Sequence, residues 1–143
     1  MLKNYSLETL GAKSCIDNSW PLMVNALDSI PKKKFYSTMD YGAADGGTSM
    51  ELWGRVFQKL EGKSIYHIAN DLPSGDLPML SENLNQLRSK FENLVVFIQP
   101  SSFYMHVAPQ ASLNIGLAAT TMHWLSKIPE VQHFGQFHTA IAP

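Results

Sequence analysis

An α/β fold built on a parallel sheet is predicted for this chain, and three features of the sequence predict it. Short apolar runs alternate with segments of helical periodicity in the order strand–helix–strand–helix–strand, which argues for parallel strands joined by crossover helices. The first strand runs into a glycine-rich turn, Asp40-Tyr41-Gly42-Ala43-Ala44-Asp45-Gly46-Gly47-Thr48, before the next helix. The third apolar run, Leu94 to Ile98, is continuous, as suits a strand buried on both faces.

Each element can be justified in turn. The chain begins with an irregular segment and then a helix. Ser19 is placed to cap that helix, and Pro21 suits its first turn, where a missing N–H has no intrahelical partner. Leu22, Met23, Ala26, Leu27 and Ile30 fall on one helical face, and Pro31 ends the element. Lys32, Lys33 and Lys34 read as a solvated loop. Phe35 to Tyr41 is the first strand. A helix restarts at Thr48, which has capping-box spacing with Glu51, and it buries Met50, Trp53, Phe57 and Leu60 before Gly62 stops it. Ser64 to Ala69 is a second strand, closed by Asn70-Asp71-Leu72-Pro73. A second crossover helix carries Leu80, Leu84, Leu87 and Phe91 on one face. Leu94 to Ile98 and Leu113 to Leu117 complete about four strands.

Composition narrows the function classes. The 143 residues are 45% apolar and 16% charged, with a net charge of −1. This is enough chain for one core and offers no basic field for a phosphate backbone, so no nucleic-acid partner is expected. No apolar run reaches membrane-spanning length and no signal peptide opens the chain, so a cytoplasmic protein with no membrane partner is expected. Cys15 is the single cysteine. It excludes an internal disulfide and a thiolate metal site, and it has no recognisable base to make it a nucleophile. His133 and His138 do not share a helix face and lack an acidic neighbour, so no metal site is expected. His67 and His106 have no partner legible in the sequence.

In parallel sheets ligands bind beyond the carboxyl ends of the strands. After the first strand, glycine permits a sharp turn and close ligand approach, and Asp40 could complement an ammonium or sulfonium. Taken alone this turn is weakly specific, and it lacks the Lys-Ser/Thr ending of a phosphate-binding loop. After the second strand, Asp71 could accept hydrogen bonds from both hydroxyls of a ribose, or Asn70 and Asp71 could simply make a turn before Pro73. After the third, Pro100-Ser101-Ser102-Phe103-Tyr104 sets aromatics beside small polar residues, as an adenine requires, although one of the two rings is expected to pack in the core.

Read in order, these segments resemble SABATH, the plant family of carboxyl methyltransferases acting on small acids and nitrogen heterocycles. The resemblance rests on Asp40-Tyr41-Gly42 with Gly46, on Asn70-Asp71-Leu72-Pro73 with Asp76, on Ser102-Phe103-Tyr104 with Pro109, and on Ser112-Leu113 leading to His123-Trp124-Leu125-Ser126 and Pro129. It covers nearly the whole chain, from Tyr5 to Pro129. It implies a Rossmann-like class I methyltransferase sheet with a helical cap, S-adenosyl-L-methionine as methyl donor, a small carboxylic acid or heterocycle as acceptor, and frequent homodimers. The implied cofactor contacts are Asp40, Gly42, Asp45, Gly46, Asp71, Leu72, Ser102 and Phe103, with His123 and Trp124 at the acceptor. No catalytic base is implied, because a carboxylate acceptor is already ionised near neutral pH.

This chain departs from the family pattern. The turn usually continues Cys-Ser-Ser-Gly-Pro-Asn-Thr, where residues 43–49 here are Ala43-Ala44-Asp45-Gly46-Gly47-Thr48-Ser49. Thr9 and Ala12 stand where a serine and an acceptor-binding glutamine are usual, and Leu117-Ala118-Ala119 replaces His-Ser-Ser. Donor positions are thus mostly kept and acceptor positions partly lost. Family members run to roughly twice this length, near the upper range for one domain. The chain therefore reads as an N-terminal half: a cap segment at 1–34, a partial donor-binding domain at 35–129, and an unassigned tail at 130–143. Three functional readings stay open, an active methyltransferase, a truncated donor-binding module without turnover, and an inert fragment.

Overall fold

The structure, a computed structural model, describes residues 5–121 together with 124–125 and 140–141. Its centre is a parallel sheet of four strands, β1 (Phe35–Tyr41), β2 (Ser64–Asp71), β3 (Leu94–Pro100) and β4 (Ile115–Leu117), in the order β3-β2-β1-β4. The expected α/β class and strand number hold. The chain adds β2 and β3 successively on one side of β1, then crosses back to place β4 on the other. The space between β1 and β4 is therefore a topological switch point, where parallel sheets leave a crevice at their carboxyl ends.

Three helices precede the sheet, α1 (Tyr5–Glu8), α2 (Leu10–Asn18) and α3 (Trp20–Ser29). The irregular opening segment expected from sequence is corrected by α1 and α2. The polar run of α2 buries only Ile16 among its residues, too little for an apolar stripe to show. It is tied down by Lys13, which pairs with Asp17 at 2.5 Å and with Glu51 at 2.9 Å. Ser19 lies at the boundary of α2 and α3, but its hydroxyl donates back to the Ile16 carbonyl at 2.6 Å instead of capping α3. Met23 and Leu27 of α3 reach the core, whereas Leu22 is 73% exposed, because the helix meets the sheet over a narrower face than its apolar stripe suggests.

Between strands run α4 (Met50–Lys59) and α5 (Leu77–Arg88). The helix after the glycine turn starts two residues later than Thr48, and no side-chain capping bond forms. The reason is a stronger demand on Ser49, whose hydroxyl serves a buried carboxylate described below. Asp76 does cap α5, accepting from the Met79 N–H at 3.3 Å, with Pro78 in the first turn. One face of the sheet meets α4 and α5 in a core of Tyr36, Ile65, Leu94, Leu52, Trp53, Val56, Phe57 and Leu87, all nearly inaccessible to water. Burying each such side chain stabilises the fold by roughly 1.5–3 kcal/mol.

The other face corrects the expectation for β3. Val95 and Phe97 are exposed, because β3 is an outer strand and no described helix covers that side. Phe35, Tyr66 and Phe97 form a ladder of edge-on rings there, with centroids 4.7 and 5.9 Å apart. The fourth strand is shorter than the expected Leu113 to Leu117, spanning Ile115–Leu117. Short strands β5 (Trp124–Leu125) and β6 (Ala140–Ile141) pair with each other in parallel, apart from the main sheet. No described helix is long and apolar enough to cross a membrane.

Candidate functional site

The carboxyl ends of β1, β2 and β3 bring three sequence segments to one edge, and each is held by hydrogen bonds that the sequence alone does not display. After β1 the chain turns at Gly42, whose φ of +68° lies in the left-handed region. A Cβ here would overlap Thr121 Cγ2, and the Thr121 hydroxyl donates to the Tyr41 carbonyl at 3.2 Å. Gly46, at φ +78°, would set a Cβ 2.8 Å from Leu80 Cδ1. Both glycines thus make room for other parts of this chain.

Asp40, expected to face a cationic ligand, is turned inward. Its Oδ2 accepts from the Ser49 hydroxyl at 2.5 Å and from Trp53 Nε1 at 3.0 Å. Burial pushes its carboxyl up to about 6, against the lowering effect of those two donors, and the Asp71 charge pushes the same way. Beneath it His67 packs against Trp53, its ring tilted by 56° with centroids 4.5 Å apart, and shares a 2.9 Å hydrogen bond between its Nδ1 and Thr38 Oγ1. Burial lowers this imidazole to about 3, so it stays neutral. The void between Asp40, Trp53, His67 and Leu80 measures only about 10 Å³, barely one water. It is a packing gap, too small for a ligand.

Asp45 is also engaged within the protein. Its Oδ2 accepts from both the N–H and the hydroxyl of Ser6, each at 2.9 Å, and its Oδ1 from the Gly47 N–H at 3.1 Å. Asp45, expected as a cofactor contact, ties α1 to the turn and is 1% exposed.

Asp71 ends β2. Its Oδ2 accepts from the Ala44 N–H at 2.5 Å and its Oδ1 from the Leu72 N–H at 2.7 Å. The first bond holds Ala44 at a φ of +53°, an uncommon conformation for a residue with a Cβ. Burial raises the Asp71 carboxyl above its ordinary value, opposed by those two N–H groups, and the Asp45 charge raises it further. Asp40, Asp45 and Asp71 form an acidic edge whose members sense one another. Asn70, in the sequence a turn former and a member of the Asn70-Asp71-Leu72-Pro73 motif without an assigned role, is fully buried, with its Nδ2 donating to the carbonyls of Gln99 at 2.9 Å and Ser101 at 2.7 Å. Its register between Tyr41 and Gln99 is the signal that could have found it, but register is not readable before the strands are paired.

The open volume lies after β3. A cleft of about 320 Å³ is walled by Tyr41, Phe103, Met105, His106, Val107 and Leu113, together with neighbouring small residues. That is near the lower end of small-molecule sites, roughly 300–1,000 Å³. Phe103, expected as a cofactor contact, is partly buried on its wall, with Tyr104 tilted against it at 4.6 Å and exposed. The core packing expected of one of these rings is therefore not found. Ser102 accepts from the Tyr104 N–H through its hydroxyl at 3.4 Å and shapes this loop, and Leu72 lies beside Asp71. Met105, His106 and Val107 were missed because the crossover has neither helical nor strand periodicity. His123 lies outside the described residues, as does the side chain of Trp124. No cluster of metal-ligating side chains occurs among the described residues.

Comparison with known proteins gives this edge a context. The sequence profile of a family described as SAM dependent carboxyl methyltransferase matches residues 56–136, more than half of the chain. Methyltransferase FUS9 of Gibberella moniliformis is 27% identical over 124 residues, which make up 81% of this chain and 35% of that protein. Gibberellic acid methyltransferase 2 of Arabidopsis thaliana is 25% identical over 132 residues, covering 78% of this chain and 33% of its own length. The chain thus spans about a third of these relatives, a smaller share than the half expected. A solved structure of loganic acid methyltransferase with SAH superposes with a TM-score of 0.63 at 21% identity, over 82% of this chain and 37% of that one. At that identity the likeness speaks for the fold.

Proposed function

The chain belongs to the S-adenosylmethionine-dependent carboxyl methyltransferase family, and from that premise we propose that its carboxyl edge binds S-adenosylmethionine and serves methyl transfer to a small-molecule carboxylate or related oxygen or nitrogen acceptor. The observation that carries the reading is the pairing of an aromatic-walled cleft at Tyr41 and Phe103 with the adjoining acidic edge. Buried carboxylates that raise one another's proton affinity are relieved by a cation, and the donor is a sulfonium carrying an ammonium. In this reading Asp71 takes the ribose hydroxyls on lone pairs not used by Ala44 and Leu72. Phe103 offers its face to the adenine, and Ser102, Leu72, Gly42 and Gly46 shape the surface around it. Asp40 and Asp45 act from behind, as framework and as fixed negative charge.

When bound, the donor supplies an activated methyl group for in-line displacement at carbon, with the carbon–sulfur pair returning to sulfur. The protein needs no general base for an ionised carboxylate acceptor. Its contribution is to hold the reactants in line and exclude water. His67 is no proton carrier in this scheme, being buried and neutral.

The test is incubation of the folded chain with methyl-labelled donor and a panel of small carboxylic acids and heterocycles. Label transfer to at least one acceptor is expected. A folded sample that binds S-adenosylhomocysteine but transfers nothing would leave the second reading, a donor-binding module. That reading draws on Ala12, Leu117, Ala118 and Ala119, apolar residues at positions where the resemblance implies polar ones. Calorimetry that finds no binding of S-adenosylhomocysteine would sink both.

A further inference from the structure

We propose that Asn70 is a positioning residue that locks the glycine turn and the Phe103 loop into one donor-binding unit. The inference rests on the reading of this edge as the donor site, and it concerns a residue which that reading does not use. Asn70 makes bonds in both directions. Its main-chain oxygen accepts from the Ala43 N–H at 2.8 Å, inside the turn after β1. Its side-chain Nδ2 donates to Gln99 and Ser101, at the start of the loop after β3.

The need for such a group follows from the end of β3. The β2–β3 register closes at Asp71 opposite Pro100, and proline has no N–H with which to continue a ladder. Beyond it Ser101 folds back, its N–H bonded to the Gln99 carbonyl at 3.0 Å. The carbonyls of Gln99 and Ser101 both receive the Asn70 amide. That pair of bonds sets the direction in which Ser102 and Phe103 leave the sheet.

The amide orientation is fixed by the same partners. Turning it over would set an oxygen against two carbonyls and remove the donor that joins them. In the orientation present, Asn70 Oδ1 is buried without a partner among the described residues. What the position requires is two adjacent N–H donors, and at this length asparagine supplies them. Aspartate would bring repulsion, and leucine would leave the Gln99 carbonyl only the Ser101 N–H and take the amide donor from the Ser101 carbonyl.

Hydrogen exchange of the chain without ligand and calorimetry with S-adenosylhomocysteine test this together. Asn70→Ala is expected to speed exchange at residues 101–105 by about tenfold or more while α4 keeps its protection, and to weaken binding by about tenfold or more. Asn70→Ser, which retains one O–H donor, is expected to recover part of both. Wild-type exchange in the loop of folded Asn70→Ala would overturn the proposal, as would uniform acceleration across the sheet. So would loop release in Asn70→Ala with undiminished binding. If the wild type does not bind, the donor-site reading fails and loop exchange alone decides whether Asn70 is the clamp. If Asn70→Ala does not fold, Asn70→Ser carries the decision by the same comparison of loop with α4.

Discussion

The turn after β1 and the loop after β3 reach the same edge of the sheet by opposite means. In the turn, Thr121 and Leu80 fill the space that Gly42 and Gly46 open, and Asp40 and Asp45 spend their oxygens on Ser49, Trp53, Ser6 and Gly47. In the loop, Phe103, Met105 and His106 stand around a cleft of about 320 Å³. The left-handed glycines of the turn thus do not by themselves leave room for a ligand. The turn is a closed frame, and the volume lies where the chain crosses back over the sheet with no regular structure.

Substitutions can break or sharpen that contrast. The largest effect is expected from Gly42→Ala, which combines a left-handed backbone with a Cβ inside Thr121. Strain and overpacking should together cost about 3 kcal/mol in urea unfolding. A loss below about 1 kcal/mol would mean that Thr121 yields and the turn is as open as the loop.

Next comes the pH response of Asp40→Asn. The Asp40 carboxyl is raised by burial from 3.8 to about 6. Its contribution to stability is therefore complete below about pH 4 and is lost as pH rises through about 6. His67, lowered by burial from 6.5 to about 3, contributes with the opposite sign, fully above about pH 6.5 and less as pH falls toward 3. Over the shared window the two slopes oppose, so the wild type shows little of either. Between pH 4 and 6 the stability of Asp40→Asn relative to wild type should rise by up to about 3 kcal/mol. A flat difference across that window would place Asp40 in contact with water and weaken the idea of a closed frame.

The smallest effect on stability belongs to Phe103→Ala. On the wall of an open cleft, its removal should shift unfolding by less than about 0.5 kcal/mol. Affinity for S-adenosylhomocysteine should still fall about tenfold through lost ring contact. A large stability loss would make Phe103 a core residue and dissolve the contrast from the other side.

The sequence by itself determined the α/β class, the bounds of β1, the apolar face of α5 and part of that of α4, because those features depend on local periodicity and on glycine and proline at their ends; Leu52 and Val56, buried on α4, lay outside the stripe it showed. It also determined where a site should be sought, since parallel strands put their carboxyl ends together whatever the side chains do. Only the tertiary structure decided which of those side chains are spent on contacts within the protein. Asp40 and Asp45 turn inward because Trp53, Ser49 and Ser6 arrive with N–H and O–H donors from other elements. Asn70 matters because pairing sets it between Tyr41 and Gln99. The exposed face of β3 follows from strand order, and its apolar run reads the same whether a helix covers it or not. Hydrogen-bond partners distant in sequence are chosen by packing, and no spacing along one segment encodes them.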